Sequence, residues 1–104
     1  MSNQTFVEHV IATWHVLEAE APRLGTTSAV KRSSDGTKGV IEIRTPGSLA
    51  TVEVWEHANC LDTTILREGE GMGVILAAGP CVNRAESTER LRTLRKVLAQ
   101  ASSA

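Results

Sequence analysis

The segment Leu49–His57 constrains this chain more than any other, because its side chains alternate in kind at every step. Ala50, Val52 and Val54 are small and apolar, while Thr51, Glu53, Trp55 and His57 between them are polar or large. A period of two is the signature of a β-strand with one buried and one unburied face. The first set therefore faces a core, and the second faces solvent or a partner. A shift of one residue in register would reverse this and send Trp55 inward.

The neighbouring segments supply partners for that strand. Thr27–Lys31 reads as a short edge strand, followed by the hairpin signal Asp35-Gly36. Gly39–Thr45 is the next strand and Pro46-Gly47-Ser48 the next turn. After a turn at Ala58-Asn59, Cys60–Arg67 alternates Leu61, Thr63 and Ile65 against Asp62, Thr64 and Leu66. Met72–Ala78 is an apolar last strand stopped by Gly79-Pro80, and the glycines at 69, 71 and 73 before it mark a sharp turn. They do not form a phosphate loop, since no Lys-Ser/Thr follows them. Short connections predict an antiparallel meander of four to five strands.

A helix is predicted at each end. Over residues 3–20, Phe6, Val7, Val10, Ile11, Trp14, Leu17 and Ala21 recur at helical spacing, with Asn3 or Thr5 as cap and Pro22 and Gly25 as stops. Over residues 84–100, Leu91, Leu94, Val97, Leu98 and Ala101 make the stripe, and Asn83 with Glu86 suggests a capping box. Residues 101–104 read as a fraying tail. Each stripe must be buried, and the economical solution lays both helices on the same sheet face. The expected product is one α+β domain over residues 1–104, with the opposite face open.

Composition narrows the function classes. The chain has 104 residues, a net charge of −1, and Phe6, Trp14 and Trp55 as its aromatics. Near-neutral charge gives no footprint for nucleic acid or an anionic membrane, and one surface aromatic is a poor base-stacking platform. No apolar run approaches the length of a membrane span, and the N-terminus lacks a basic region, so a soluble cytoplasmic protein is expected. Cys60 and Cys81 are read as thiols, with a disulfide between them left open.

No constellation for catalysis or a cofactor is recognised. His57 and Cys60 resemble the edge of a metal site, but no C-x-x-C or H-x-x-x-H completes it, and His9 and His15 are wrongly spaced for one helical face. Cys60 or Cys81 with His57 as base would also need a depressed thiol pKa and an oxyanion hole. Arg84, Arg90, Arg92, Arg95 and Lys96 form a basic stripe, read as a solvated helix face that can instead meet nucleic acid or an acidic protein.

The candidate partner-binding set is therefore Thr51, Glu53, Trp55, Glu56, His57, Asp62 and Thr64. An exposed Trp on an uncovered sheet is costly unless it is used, and Trp is enriched in binding hot spots. The competing reading packs Trp55 across the strand against Leu66 or an aliphatic stem. Glu56 falls on the core side of the register, at the strand's end, where it is expected to reach solvent.

The run Ala50-Thr51-Val52-Glu53-Val54-Trp55-Glu56-His57-Ala58-Asn59-Cys60-Leu61-Asp62, with a helix before and after, resembles the TriTu family. The distinctive part is the V-x-V-W-E strand followed shortly by an Asp. Members of that family are immunity proteins encoded beside antibacterial polymorphic toxins, including type VI secretion effectors. The resemblance implies a binding protein, not an enzyme, that blocks a cognate toxin in the producing cell. For the family's namesake the toxin is an ADP-ribosyltransferase acting on the translation factor EF-Tu. Rival classes are a small secretion chaperone or adaptor, and a small-molecule-binding α+β domain. The expected state is a monomer or weak homodimer, with the edge strand near Thr27 as a place for pairing.

Overall fold

A computed structural model describes residues 4–102. Helix α1 (Phe6–Ala19) is followed by a 3-10 turn at Pro22–Leu24. Five strands come next: β1 (Thr27–Arg32), β2 (Lys38–Thr45), β3 (Ser48–Trp55), β4 (Cys60–Arg67) and β5 (Val74–Ala77). Helix α2 (Arg84–Ser102) closes the chain. The strands pair antiparallel in the order β1-β2-β3-β4-β5, the expected meander.

The alternation in β3 is realised in the expected sense. Ala50, Val52 and Val54 are fully buried, with Ile41 and Ile43 of β2 and Leu61 and Ile65 of β4 beside them. Against this face lie Phe6, Val7, Val10, Ile11, Trp14 and Leu17 of α1, and Leu91, Leu94 and Leu98 of α2. Helix α1 packs on β2 and β3, and α2 on β4. Both helices thus cover one face and leave the other open. Gly39 allows α1 to approach, since a Cβ there would sit 3.0 Å from Val7 Cγ1 and 3.3 Å from Val54 Cγ1.

Several polar groups drawn into this layer are satisfied locally. The buried Trp14 donates its Nε1–H to Ser28 Oγ at 3.0 Å, and Ser28 and Thr26 both donate to Glu18. Not all are: the hydroxyl of the fully buried Thr63 has no hydrogen-bond partner among the described residues, and neither do the buried His9 Nε2, Thr45 Oγ1 and Ser48 Oγ.

The helix starts were partly legible. Thr5 caps α1 by accepting from Glu8 N–H at 3.2 Å, and Asn3, the other candidate, lies outside the described residues. Asn83 accepts from Glu86 N–H at 2.9 Å, but Glu86 returns its carboxylate to Val82 N–H and not to Asn83, which displaces the expected box by one residue. Ala101 and Ser102 are still helical, and 103–104 of the expected tail lie outside the described residues.

Two strands are shorter than expected. Strand β3 ends at Trp55, so His57 belongs to the following turn. Strand β5 is confined to Val74–Ala77, and its pairing with β4 shifts register between Thr63 and Thr64, opposite Leu76.

Candidate functional site

The open face is a grid set by the registers. Thr51 stands opposite Thr64, Glu53 opposite Asp62, and Trp55 between Lys38 of β2 and Cys60 of β4. These registers bring Thr51, Glu53, Trp55, Asp62 and Thr64 onto one surface. Glu53 facing Asp62 sets two carboxylates across from one another, which is unfavourable unless each finds a partner. Both do. Lys38 Nζ lies 3.6 Å from Glu53 Oε2, and Asp62 Oδ1 accepts from Gly79 N–H at 2.9 Å.

Trp55 is half-buried, and its ring lies under the Lys38 ammonium, which is 5.1 Å from the ring centroid. Leu66 pairs with Leu49 at the far end of the strand, so it is not the neighbour of Trp55. The indole is instead flanked by a lysine on one side and a shallow depression on the other. That depression encloses about 350 Å³ and is lined by Trp55, His57, Cys60, Asp62, Ala78 and Gly79.

His57 enters the site from the turn between β3 and β4. Ala58 (φ 57°) and Asn59 (φ 50°) both lie in the left-handed region. They close the four-residue loop of Glu56, His57, Ala58 and Asn59 between the paired Trp55 and Cys60. Asn tolerates this region; Ala pays a steric penalty there. The turn presents His57 exposed at the rim.

Glu56 is placed elsewhere. Its carboxylate turns to the helix side and accepts a hydrogen bond from Val7 N–H in the first turn of α1. It therefore completes the α1 cap alongside Thr5, and it does not join the open-face grid.

The basic stripe is also mostly structural, in contrast to the solvated face expected of it. Arg90 donates to Leu61 O and Gly79 O, each at 2.8 Å, and to Pro80 O at 3.0 Å. Arg95 donates to Leu17 O at 3.0 Å and to Glu20 Oε1 at 2.9 Å. Arg84 donates to Gln4 O. These arginines tie α2 to the sheet, to the end of α1 and to the chain's start. The i,i+4 pair survives as Arg90–Glu86 at 3.6 Å.

Beside Arg95 lies a larger cleft of about 710 Å³, between the end of α1 and the second half of α2. Arg23, Arg92 and Lys96 line it with Glu20, Ala21, Leu24 and Ala99, and Arg92 is paired with Glu89 at 2.6 Å. It is remote from Trp55 in the fold, on the helical side.

Both cysteines are thiols, Cys60 half-buried and Cys81 buried. Burial pushes the Cys81 thiol pKa above its ordinary value, with Glu86 and Cys60 adding to the rise against the pull of Arg90. This opposes the activation a nucleophile would need. Burial likewise lowers the pKa of His9, whose Nε2 has no hydrogen-bond partner among the described residues. Among the described residues no group of three or more His, Cys, Asp or Glu is gathered to hold a metal ion, and no helix is long and apolar enough to cross a membrane.

Comparison with protein-family models, curated proteins and solved structures returns no match.

Proposed function

We propose that this chain is an immunity protein that binds a cognate antibacterial toxin through its open sheet face and blocks the toxin's active site. The observation that carries the reading is the uncovered face bearing Trp55 beside an apolar-walled depression. A large half-exposed indole next to a concave patch has the composition of a binding hot spot. The resemblance of the Val52–Asp62 segment to the TriTu immunity family points the same way.

The mechanism is occlusion. Trp55 inserts into a toxin cleft while a toxin side chain fills the depression rimmed by His57 and Gly79. Glu53 and Asp62 contribute less to charge steering than bare carboxylates would, because Lys38 and Gly79 N–H already engage them. Lys31, Lys38 and Arg44 balance Glu42, Glu53 and Asp62 across the grid, so shape and apolar burial dominate affinity, with charge selecting the partner.

The test is co-expression and pull-down with the toxin encoded beside this chain. Trp55→Ala is expected to keep the fold and weaken toxin binding by about 2 kcal/mol, roughly 30-fold, with loss of protection. A folded Trp55→Ala protein that binds and protects as well as wild type would overturn the reading.

The 710 Å³ cleft favours a second reading, a domain that binds an anionic small molecule through Arg23, Arg92 and Lys96. Ligand-induced shifts in these residues, without any protein partner, would favour it.

A further inference from the structure

The pairing of β2 with β3 sets Lys38 directly opposite Trp55. Lys38 turns its backbone groups the other way, toward β1. Its N–H donates to Ser33 Oγ at 3.0 Å, and its carbonyl accepts from Ser33 N–H at 2.9 Å. The neighbouring pair is the bonded one, with Glu56 N–H donating to Thr37 O at 2.9 Å. Lys38 and Trp55 are therefore a non-hydrogen-bonded pair, the kind that brings two side chains closest together. The turn before Lys38 is itself fastened, because Asp35 Oδ1 accepts from Ser33 Oγ, Thr37 N–H and Thr37 Oγ1 at 2.8, 3.0 and 2.7 Å.

From this position the Lys38 ammonium lies 5.1 Å from the indole centroid and 3.6 Å from Glu53 Oε2. One cation is thus held between a ring face and a carboxylate that stand two residues apart on β3. Asp62 faces Glu53 from β4, so without Lys38 that pair of like charges would lose its counterion. On the far side of the ring lie Cys60, Asp62, Ala78 and Gly79, which with Trp55 and His57 enclose the depression.

We infer that Lys38 is the positioning residue of this site. It holds Trp55 in one orientation, covers the ring face toward β2, and leaves a partner only the face and edge toward β4 and β5. The inference rests on the open-face reading of function. An indole already fixed in the orientation a partner accepts binds without first being ordered. Where only part of the population has that orientation, apparent affinity falls by the same fraction. A cation over an exposed ring shifts such a population by about two- to fivefold. Lys38 also restricts which partners fit. A basic side chain cannot stack on the ring from the β2 side, where the ammonium already sits, so the contact has to come over Ala78 and Gly79.

Lys38→Ala uncovers the ring and Lys38→Arg covers it again. In the free chain, acrylamide quenching of Trp55 fluorescence should rise about twofold in Lys38→Ala, as a second ring face opens, and return in Lys38→Arg. Trp14, buried and bonded to Ser28, supplies a constant background. Binding of the toxin encoded beside this chain should weaken about two- to fivefold in Lys38→Ala and recover in Lys38→Arg. In the protein with Lys38 intact, NMR should find the Lys38 side-chain methylene protons displaced upfield by the ring and restored in Trp55→Ala, a readout that does not depend on how Lys38→Ala folds. A folded Lys38→Ala quenched no more than wild type, methylene protons unmoved by Trp55→Ala, or toxin binding that survives Lys38→Ala but not Trp55→Ala, would overturn the inference. If Trp55→Ala itself binds the toxin normally, the functional reading is what fails, and quenching and the methylene shifts alone decide whether Lys38 holds the ring.

Discussion

Replacing Glu56 by Ala separates a structural carboxylate from a binding one. Residue 56 follows the open-face strand directly, yet its carboxylate accepts the Val7 N–H on the helical side. Thr5 Oγ1 already serves Glu8 N–H, so Glu56 holds a second of the amides that a helix start leaves unpaired. Val7 is itself fully buried, and water does not readily replace the lost acceptor. A charge-assisted hydrogen bond at a helix N-terminus contributes about 2 kcal/mol. For a domain of this size that corresponds to a fall in Tm of about 8–10 °C. Glu56→Gln keeps an acceptor and loses the charge, so its cost should be about half. Urea unfolding followed by circular dichroism at neutral pH measures both. Should Glu56→Ala melt within about 2 °C of wild type and yet lose toxin binding, the carboxylate serves the partner and the capping argument is wrong.

Other perturbations have equally definite outcomes. Gly39→Ala should destabilise by about 1–2 kcal/mol in urea unfolding, because its Cβ would press on Val7 and Val54. Arg90→Lys should cost about 1–2 kcal/mol, since one ammonium cannot reproduce the guanidinium's grip on Leu61 O, Gly79 O and Pro80 O. Ala58→Gly should raise stability by roughly 0.5 kcal/mol, the relief at a positive φ outweighing the entropy of a glycine. The Asp35 carboxyl, held down to about 2 from 3.8 by hydrogen bonds from Thr37 and Ser33, should titrate near that value by NMR. Because its folded pKa is depressed, its stabilising contribution is present above the unfolded value and is lost as pH falls through about 2. Asp35→Asn should flatten that part of the acid-unfolding profile.

The sheet was legible because a period of two leaves little freedom. Once Ala50, Val52 and Val54 are inward, the registers place Trp55, Asp62 and Thr64 on the open side. One residue past the strand's end the alternation still put Glu56 on the helical side, and what failed was the expectation that its carboxylate reaches solvent. Nothing local reveals that Val7 will stand within reach of Glu56. The arginines of α2 were misread for a similar reason. Helical spacing places Arg90 and Arg95 off the apolar stripe, and a long cation there is usually solvated. Their partners Leu61, Gly79 and Leu17 are distant in sequence and meet them only in the folded chain. Strand β5 was overextended because an apolar run alone does not mark where glycine ends pairing.

The attachment of β5 is lopsided. At its far end Gly79 and the residues just beyond it are held by Asp62, by Arg90, by Leu61 N–H donating to Gly79 O, and by Cys81 N–H donating to Asn59 O. Glycines 71 and 73 precede its near end, and the preceding loop is stitched by a bond from Glu70 N–H to Arg67 O. The last ribbon of the sheet thus behaves as a flap riveted at its trailing end. Peeling starts at Val74 and is arrested at Gly79, so solvent deuterium should reach the leading amides well before the trailing ones.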